Sequence, residues 1–146
     1  MADSSVSAAP ARADARESAR AEAQFGVDVA QRGLWREAIY RWERAVELDP
    51  DFVLARINLV NHLSRSGGYA EATRHVAILK GQMARLTPAQ RLLVEATSAT
   101  LAGRTGEAYL AASEVKRLWP AEPGAIEVYS WFARNAPDCQ SIASTS

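Results

Sequence analysis

Apolar residues along the chain recur at spacings of three and four, and nowhere alternate with period two, so the pattern predicts helices and no strand. The clearest stripe is Leu34, Ala38, Trp42, Ala45 and Val46, with Arg36, Glu37, Arg41, Glu43 and Arg44 facing away from it. Glu37 and Arg41 stand four apart in the favourable order on that outer surface. The turn Leu48–Asp51 ends this helix, because Pro50 lacks the donor a helix interior needs but suits a first turn. Two helices joined so tightly are expected to lie antiparallel.

The same alternation of stripe and break predicts seven helices. One runs from Asp14 to about Gln31 through strong helix formers, with Gly26 as an interruption. The helix of the Leu34 stripe follows, and then helices over about 52–63, 70–86, 91–102, 107–118 and 125–135. "TPAQ" marks the start of the fifth: Thr87 can cap, Pro88 opens the first turn and Gln90 completes a capping box. Residues 1–13 mix small and polar types without periodicity and are expected to form a flexible tail, as are residues 136–146.

Self-comparison adds a second, longer period. Gly33 precedes Trp35 and Ala38 as Gly67 precedes Tyr69 and Ala72, and as Gly103 precedes Thr105 and Ala108. The three alanines are separated by 34 and then 36 residues, and prolines follow two of them at Pro50 and Pro120. A period near 34 with two helices per unit resembles the tetratricopeptide repeat. In the first unit, residues 19–52, Phe25, Gly26, Gly33, Trp35, Ala38, Trp42, Ala45 and Pro50 match that pattern, which implies that Trp35 and Trp42 pack in the seam between helices. The second, residues 53–86, keeps Leu59, Leu63, Gly67, Tyr69 and Ala72. The third, residues 89–122, keeps Ala96, Gly103, Ala108 and Pro120 but carries Glu95 where the family prefers leucine. Residues 123–135 read as a capping helix.

The resemblance implies an all-α, right-handed solenoid of antiparallel helix pairs over residues 14–135, acting as a non-enzymatic protein-protein interaction module: an adaptor, scaffold or assembly factor. Its concave groove, lined by the first helix of each unit, would hold a segment of a partner protein. Transferred residue by residue, that surface comprises Gln24 and Gln31, then Leu54, Ile57, Asn58, Asn61 and Arg65, then Gln90 and Val94, with Arg20, Val27, Leu93 and Thr97 beside them. Asn58 and Asn61 are the sharpest candidates, since a carboxamide donates to a peptide carbonyl and accepts from its N–H at once. The dicarboxylate clamp of some co-chaperones is not expected, because Ala23, Val27, Gln90 and Val94 occupy four of its five places and only Asn58 falls in register. A peptide ending in EEVD should therefore show no micromolar binding in calorimetry.

Composition changes this picture little. Seventeen basic and seventeen acidic residues give no net charge, so no global field draws nucleic acid or an anionic membrane. Locally, Arg56, Arg65, Arg74, Lys80, Arg85 and Arg91 face Glu71 alone between Phe52 and Val94, which points to an acidic protein or peptide partner. Nucleic acid is not expected, since those cations lack interleaved aromatics. His62 and His75 have no metal-ligand spacing, no phosphate-binding loop is present, and no nucleophile has a recognisable base, so neither an enzyme nor a cofactor is expected.

The arginine-over-lysine and alanine-rich usage resembles that of GC-rich bacterial genomes. There is no apolar run to span a bilayer and no secretory leader, so a cytoplasmic location is expected, or a periplasmic or envelope-attached one for a processed form. Cys139 is the single cysteine and excludes an internal disulfide. In the last helix, Ile126, Tyr129 and Ala133 are expected to pack inward. That would leave Trp131 and Phe132 as an uncovered contact for a homo-oligomer, the alternative role of a structural subunit, beside that of a regulatory fragment of a larger protein.

Overall fold

The computed structural model describes residues 4–135, with side chains from Ala11 to Arg134. The described residues form seven α-helices and one 3-10 turn, with no strand: α1 Ser4–Gln31, α2 Trp35–Leu48, α3 Val53–Ser66, α4 Tyr69–Gly81, the 3-10 turn Met83–Arg85, α5 Pro88–Leu101, α6 Thr105–Leu118 and α7 Ala125–Asn135. Two compact units divide inside α3, one ending at Leu59 and the other beginning at Val60. Cys139 and the expected C-terminal tail lie outside the described residues.

The first unit is built on α1 packed against α2. Among the described side chains, Ala19, Ala23, Gly26 and Val29 are the buried positions of α1, and Ala38, Ile39, Trp42, Ala45 and Val46 those of α2. Small residues dominate the α1 side, which lets the backbone approach the Trp42 ring closely. The indole Nε1 donates to the Ala23 carbonyl at 3.2 Å. A Cβ added at Gly26 would lie 2.7 Å from that same Nε1. On the rim, the Arg41 guanidinium is 3.1 Å from both Glu22 of α1 and Glu37 of α2, which hold its pKa above the ordinary range.

α1 begins ten residues earlier than expected, at Ser4 rather than Asp14. Ala8, Ala9, Ala11 and Ala13 carry the best intrinsic propensity, so helix extends through the stretch read from composition as a tail. Residues 11–14 are exposed, so propensity rather than packing accounts for the extension there.

In the second unit, α4 packs on α5, α5 on α6 and α6 on α7. Leu79, Leu93, Val94, Val115, Val128 and Phe132 form its large apolar core, while Ala72, Ala96, Ala108, Ala112 and Ala125 are fully buried where helices come close. The helix expected over 70–86 breaks at Gly81, and the chain passes through the 3-10 turn before Thr87. Thr87 then caps α5 reciprocally with Gln90, each bond 3.1 Å long.

The repeat expected from the glycines is present as three matching turns. Gly33, Gly67 and Gly103 have φ of 80°, 91° and 80°, and each is followed by a residue with φ near −85° before the next helix. In each turn the residue after the glycine bonds back to the carbonyl five residues earlier: Leu34 to Val29, Gly68 to Leu63 and Arg104 to Ala99. This is the Schellman arrangement, which closes the preceding helix with a left-handed residue. The amides of Ala38, Ala72 and Ala108 then donate the first helical bond to the Leu34, Gly68 and Arg104 carbonyls, and all three alanines are fully buried. A Cβ at Gly103 would meet nothing within 4 Å, so Gly103→Ala tests conformation alone. Its expected cost is about 1–2 kcal/mol, read from chemical denaturation. Thr87→Ala should cost about 1 kcal/mol in the same assay.

Two aromatic expectations are corrected. Trp35 is 45% exposed rather than packed in a helix seam, because it stands at the first position of α2, a turn before the buried stripe begins at Ala38. In α7 the phase is rotated: Ala125, Val128 and Phe132 are buried while Ile126 is 55% exposed. Both sets have helical spacing, so periodicity could not choose between them. Tyr129 does reach α6, where its hydroxyl lies 3.2 Å from that of Tyr109. That bond, with burial, pushes the Tyr109 hydroxyl above the ordinary tyrosine range.

Candidate functional site

The residues assigned to the partner-binding surface divide by burial. On α1, Gln24 and Gln31 are exposed, and the Gln24 amide donates to Asp28 at 3.1 Å. Leu54 and Asn58 of α3 are half-buried and Arg65 is exposed. Ile57 is fully buried and Val94 is 1% exposed, so both belong to core rather than to a contact surface. Gln90 is half-buried with its side chain spent on the α5 cap. The neighbouring positions separate the same way: Arg20 is exposed, Val27 half-buried, and Leu93 and Thr97 buried.

Asn61 differs from all of these. It is 1% exposed, and neither its Nδ2 nor its Oδ1 has a hydrogen-bond partner in the protein. Thr97, fully buried, has an Oγ1 in the same condition. Each precedes its turn glycine, Gly67 or Gly103, by six residues, so they occupy one register position in successive first helices. A buried amide or hydroxyl without a partner costs roughly 1–3 kcal/mol, which a tightly packed helix does not incur without cause. Beside Asn61 on α3, the His62 ring lies 5.6 Å from that of Trp131.

The uncovered contact expected at Trp131 and Phe132 is not found. Phe132 is 2% exposed, and Trp131 is half-buried between His62 and the edge of Phe132, 5.0 Å away. The chain supplies its own cover for these rings.

The basic surplus is also reduced. Arg56 is 5% exposed, its Nη2 donates to the Pro50 carbonyl at 2.8 Å, and burial lowers its pKa despite Asp51 nearby. Arg91 is turned onto the Met83 carbonyl at 2.9 Å. Arg65, Arg74, Lys80 and Arg85 remain exposed.

One feature was not foreseen. A cleft of about 340 Å³ opens between the end of α4, the 3-10 turn, α5 and α6, bordered by Lys80, Glu95, Ser98, and the Arg104–Glu107 ion pair at 3.1 Å. The departure at Glu95 from the family's leucine was its signal: the position faces solvent on the cleft wall rather than a neighbouring helix.

Among the described residues no group of three or more His, Cys, Asp and Glu side chains is arranged to hold a metal. No described helix is long and apolar enough to cross a membrane. Compared with protein-family models, curated proteins and solved structures, the chain matches none.

Proposed function

We propose that the chain is a tetratricopeptide-like array, a right-handed solenoid of antiparallel helix pairs, working as a non-enzymatic protein-binding module. The observation that carries this reading is the threefold recurrence of one local structure: a left-handed glycine closing the first helix, and a fully buried alanine one turn into the second. In a solenoid, such repetition would set equivalent first-helix positions at regular intervals, which suits a surface that reads a repeating main chain rather than one that performs a reaction.

Within the second unit the binding element is the part of α3 from Val60 onward, together with α5. Arg65 offers an exposed cation, and Asn61 and Thr97 offer unspent hydrogen-bonding groups. An extended segment with acidic side chains complements that set.

The test begins with the full chain immobilised and the proteins it retains identified by mass spectrometry. The retained protein, once purified, is then titrated against wild type and against Arg65→Glu. A loss of at least about tenfold with an unchanged circular dichroism spectrum supports the binding face. Equal affinity would remove α3 from it, and a chain that retains nothing would overturn the function.

A further inference from the structure

We infer that the outer face of α2 is a docking surface for a second copy of this chain, with the two α2 helices antiparallel. This inference is independent of the partner-binding reading. Arg36, Tyr40, Arg44 and Glu47 follow one another at spacings of four, four and three, which puts them on a single stripe opposite the buried Ala38–Trp42–Ala45 face. All four are exposed, Tyr40 to 52%. An exposed tyrosine among arginines has the composition of an interface centre rather than of an ordinary solvated face.

The charge order along the stripe selects the occupant. Of the three arginines on α2, Arg41 pairs with Glu22 and Glu37, and Arg44 pairs with Glu47 at 3.5 Å. Arg36 has no carboxylate partner among the described residues and lies over the Trp35 ring, 5.1 Å from its centre. When two such stripes meet head to tail, Arg36 falls opposite the second copy's Glu47, and Tyr40 opposite its Arg44. Two-fold symmetry then repeats both contacts.

Each Arg36 gains its missing carboxylate, and each Arg44 exchanges a weak exposed intrahelical pair for the face of a tyrosine ring. A parallel arrangement would set Arg36 on Arg36 and Glu47 on Glu47. Nucleic acid is a poorer occupant, because Glu37, Glu43 and Glu47 balance the three arginines and leave no net charge for phosphate. Phe25, 45% exposed, extends the apolar part: the Arg41 guanidinium lies 4.3 Å from its ring centre and 5.7 Å from that of Tyr40.

The stripe is about 16 Å long at the helical rise, so the contact is small and the dissociation constant is expected on the order of 100 μM. Sedimentation equilibrium of the full chain, from about 10 μM to about 1 mM at low salt, should show the average mass climbing toward twice the chain mass. Arg36→Glu and Glu47→Arg should each weaken dimerisation at least about tenfold, since each sets like charges together at both symmetric contacts. Mixing those two variants should restore a dimer, because the heterodimer alone has opposite charges at both. Tyr40→Ala should weaken it with the helical spectrum unchanged. A wild type that stays monomeric throughout would overturn the inference. So would a dimer indifferent to Arg36→Glu, or variants that fail to complement each other.

Discussion

Replacing Trp42 by alanine is expected to cost about 3–5 kcal/mol, a large share of the stability a chain of this size possesses. The ring is 1% exposed and is the largest fully buried side chain among the described residues, so its removal leaves a cavity that the Ala23 methyl and the bare Gly26 backbone cannot fill. Trp42→Phe keeps most of the apolar contact and loses the bond from Nε1 to the Ala23 carbonyl, for about 1–2 kcal/mol. Urea denaturation followed by circular dichroism measures both changes. Hydrogen exchange should place the loss of protection on α1 and α2. A Trp42→Ala cost below about 1 kcal/mol would mean that the α1–α2 pair is not held by this ring.

Gly26 gives that result a partner. A Cβ there would lie 2.7 Å from Nε1 and 3.0 Å from two ring carbons, and a ring this buried has no room to move. Gly26→Ala should therefore destabilise by about 1–3 kcal/mol, although alanine is the better helix former by nearly 1 kcal/mol. With Trp42→Ala already present the clash is gone and only propensity remains, so the same substitution should stabilise. A reversal of sign in this cycle would establish that Gly26 is kept for contact with the ring rather than for flexibility.

The contrast between Gly26 and Gly33 shows what a sequence discloses. The turn glycines were legible because their spacing repeats, and a repeated local structure needs the same local residue each time. The Thr87 capping box and the Glu37–Arg41 pair were legible for the same reason, since both are settled within one turn of helix. What periodicity could not settle was which of two equally spaced faces is covered. Ile126 and Phe132 exchanged places for that reason, and Ile57 and Val94, assigned to a contact surface by register, are core. Burial depends on what packs from outside the helix, and that information is not local.

Asn61 and Thr97 are where the covering and the chemistry disagree, and their replacement by apolar residues of similar size is expected to stabilise the protein. Asn61→Leu and Thr97→Val each remove a polar side chain that has an unpartnered atom and almost no exposure. Leaving a polar group unpaired costs more than removing it, so gains of about 1–2 kcal/mol are expected at each position. The larger gain is expected for Asn61, where both ends of the carboxamide are unpaired. The midpoint of urea denaturation should rise with an unchanged slope. A loss of stability in either variant would show that its polar atoms are already satisfied in the folded chain.

If stability does rise, the natural residues cost the fold something that binding must return. In the proposed reading, a partner that opens the packing over Asn61 supplies the missing donor and acceptor from its main chain, so Asn61→Leu should weaken the retained protein's affinity by at least about tenfold while making the chain itself harder to unfold. Opposite signs for stability and binding at one residue separate a site from a packing defect, because a defect repaired by leucine would leave affinity unchanged.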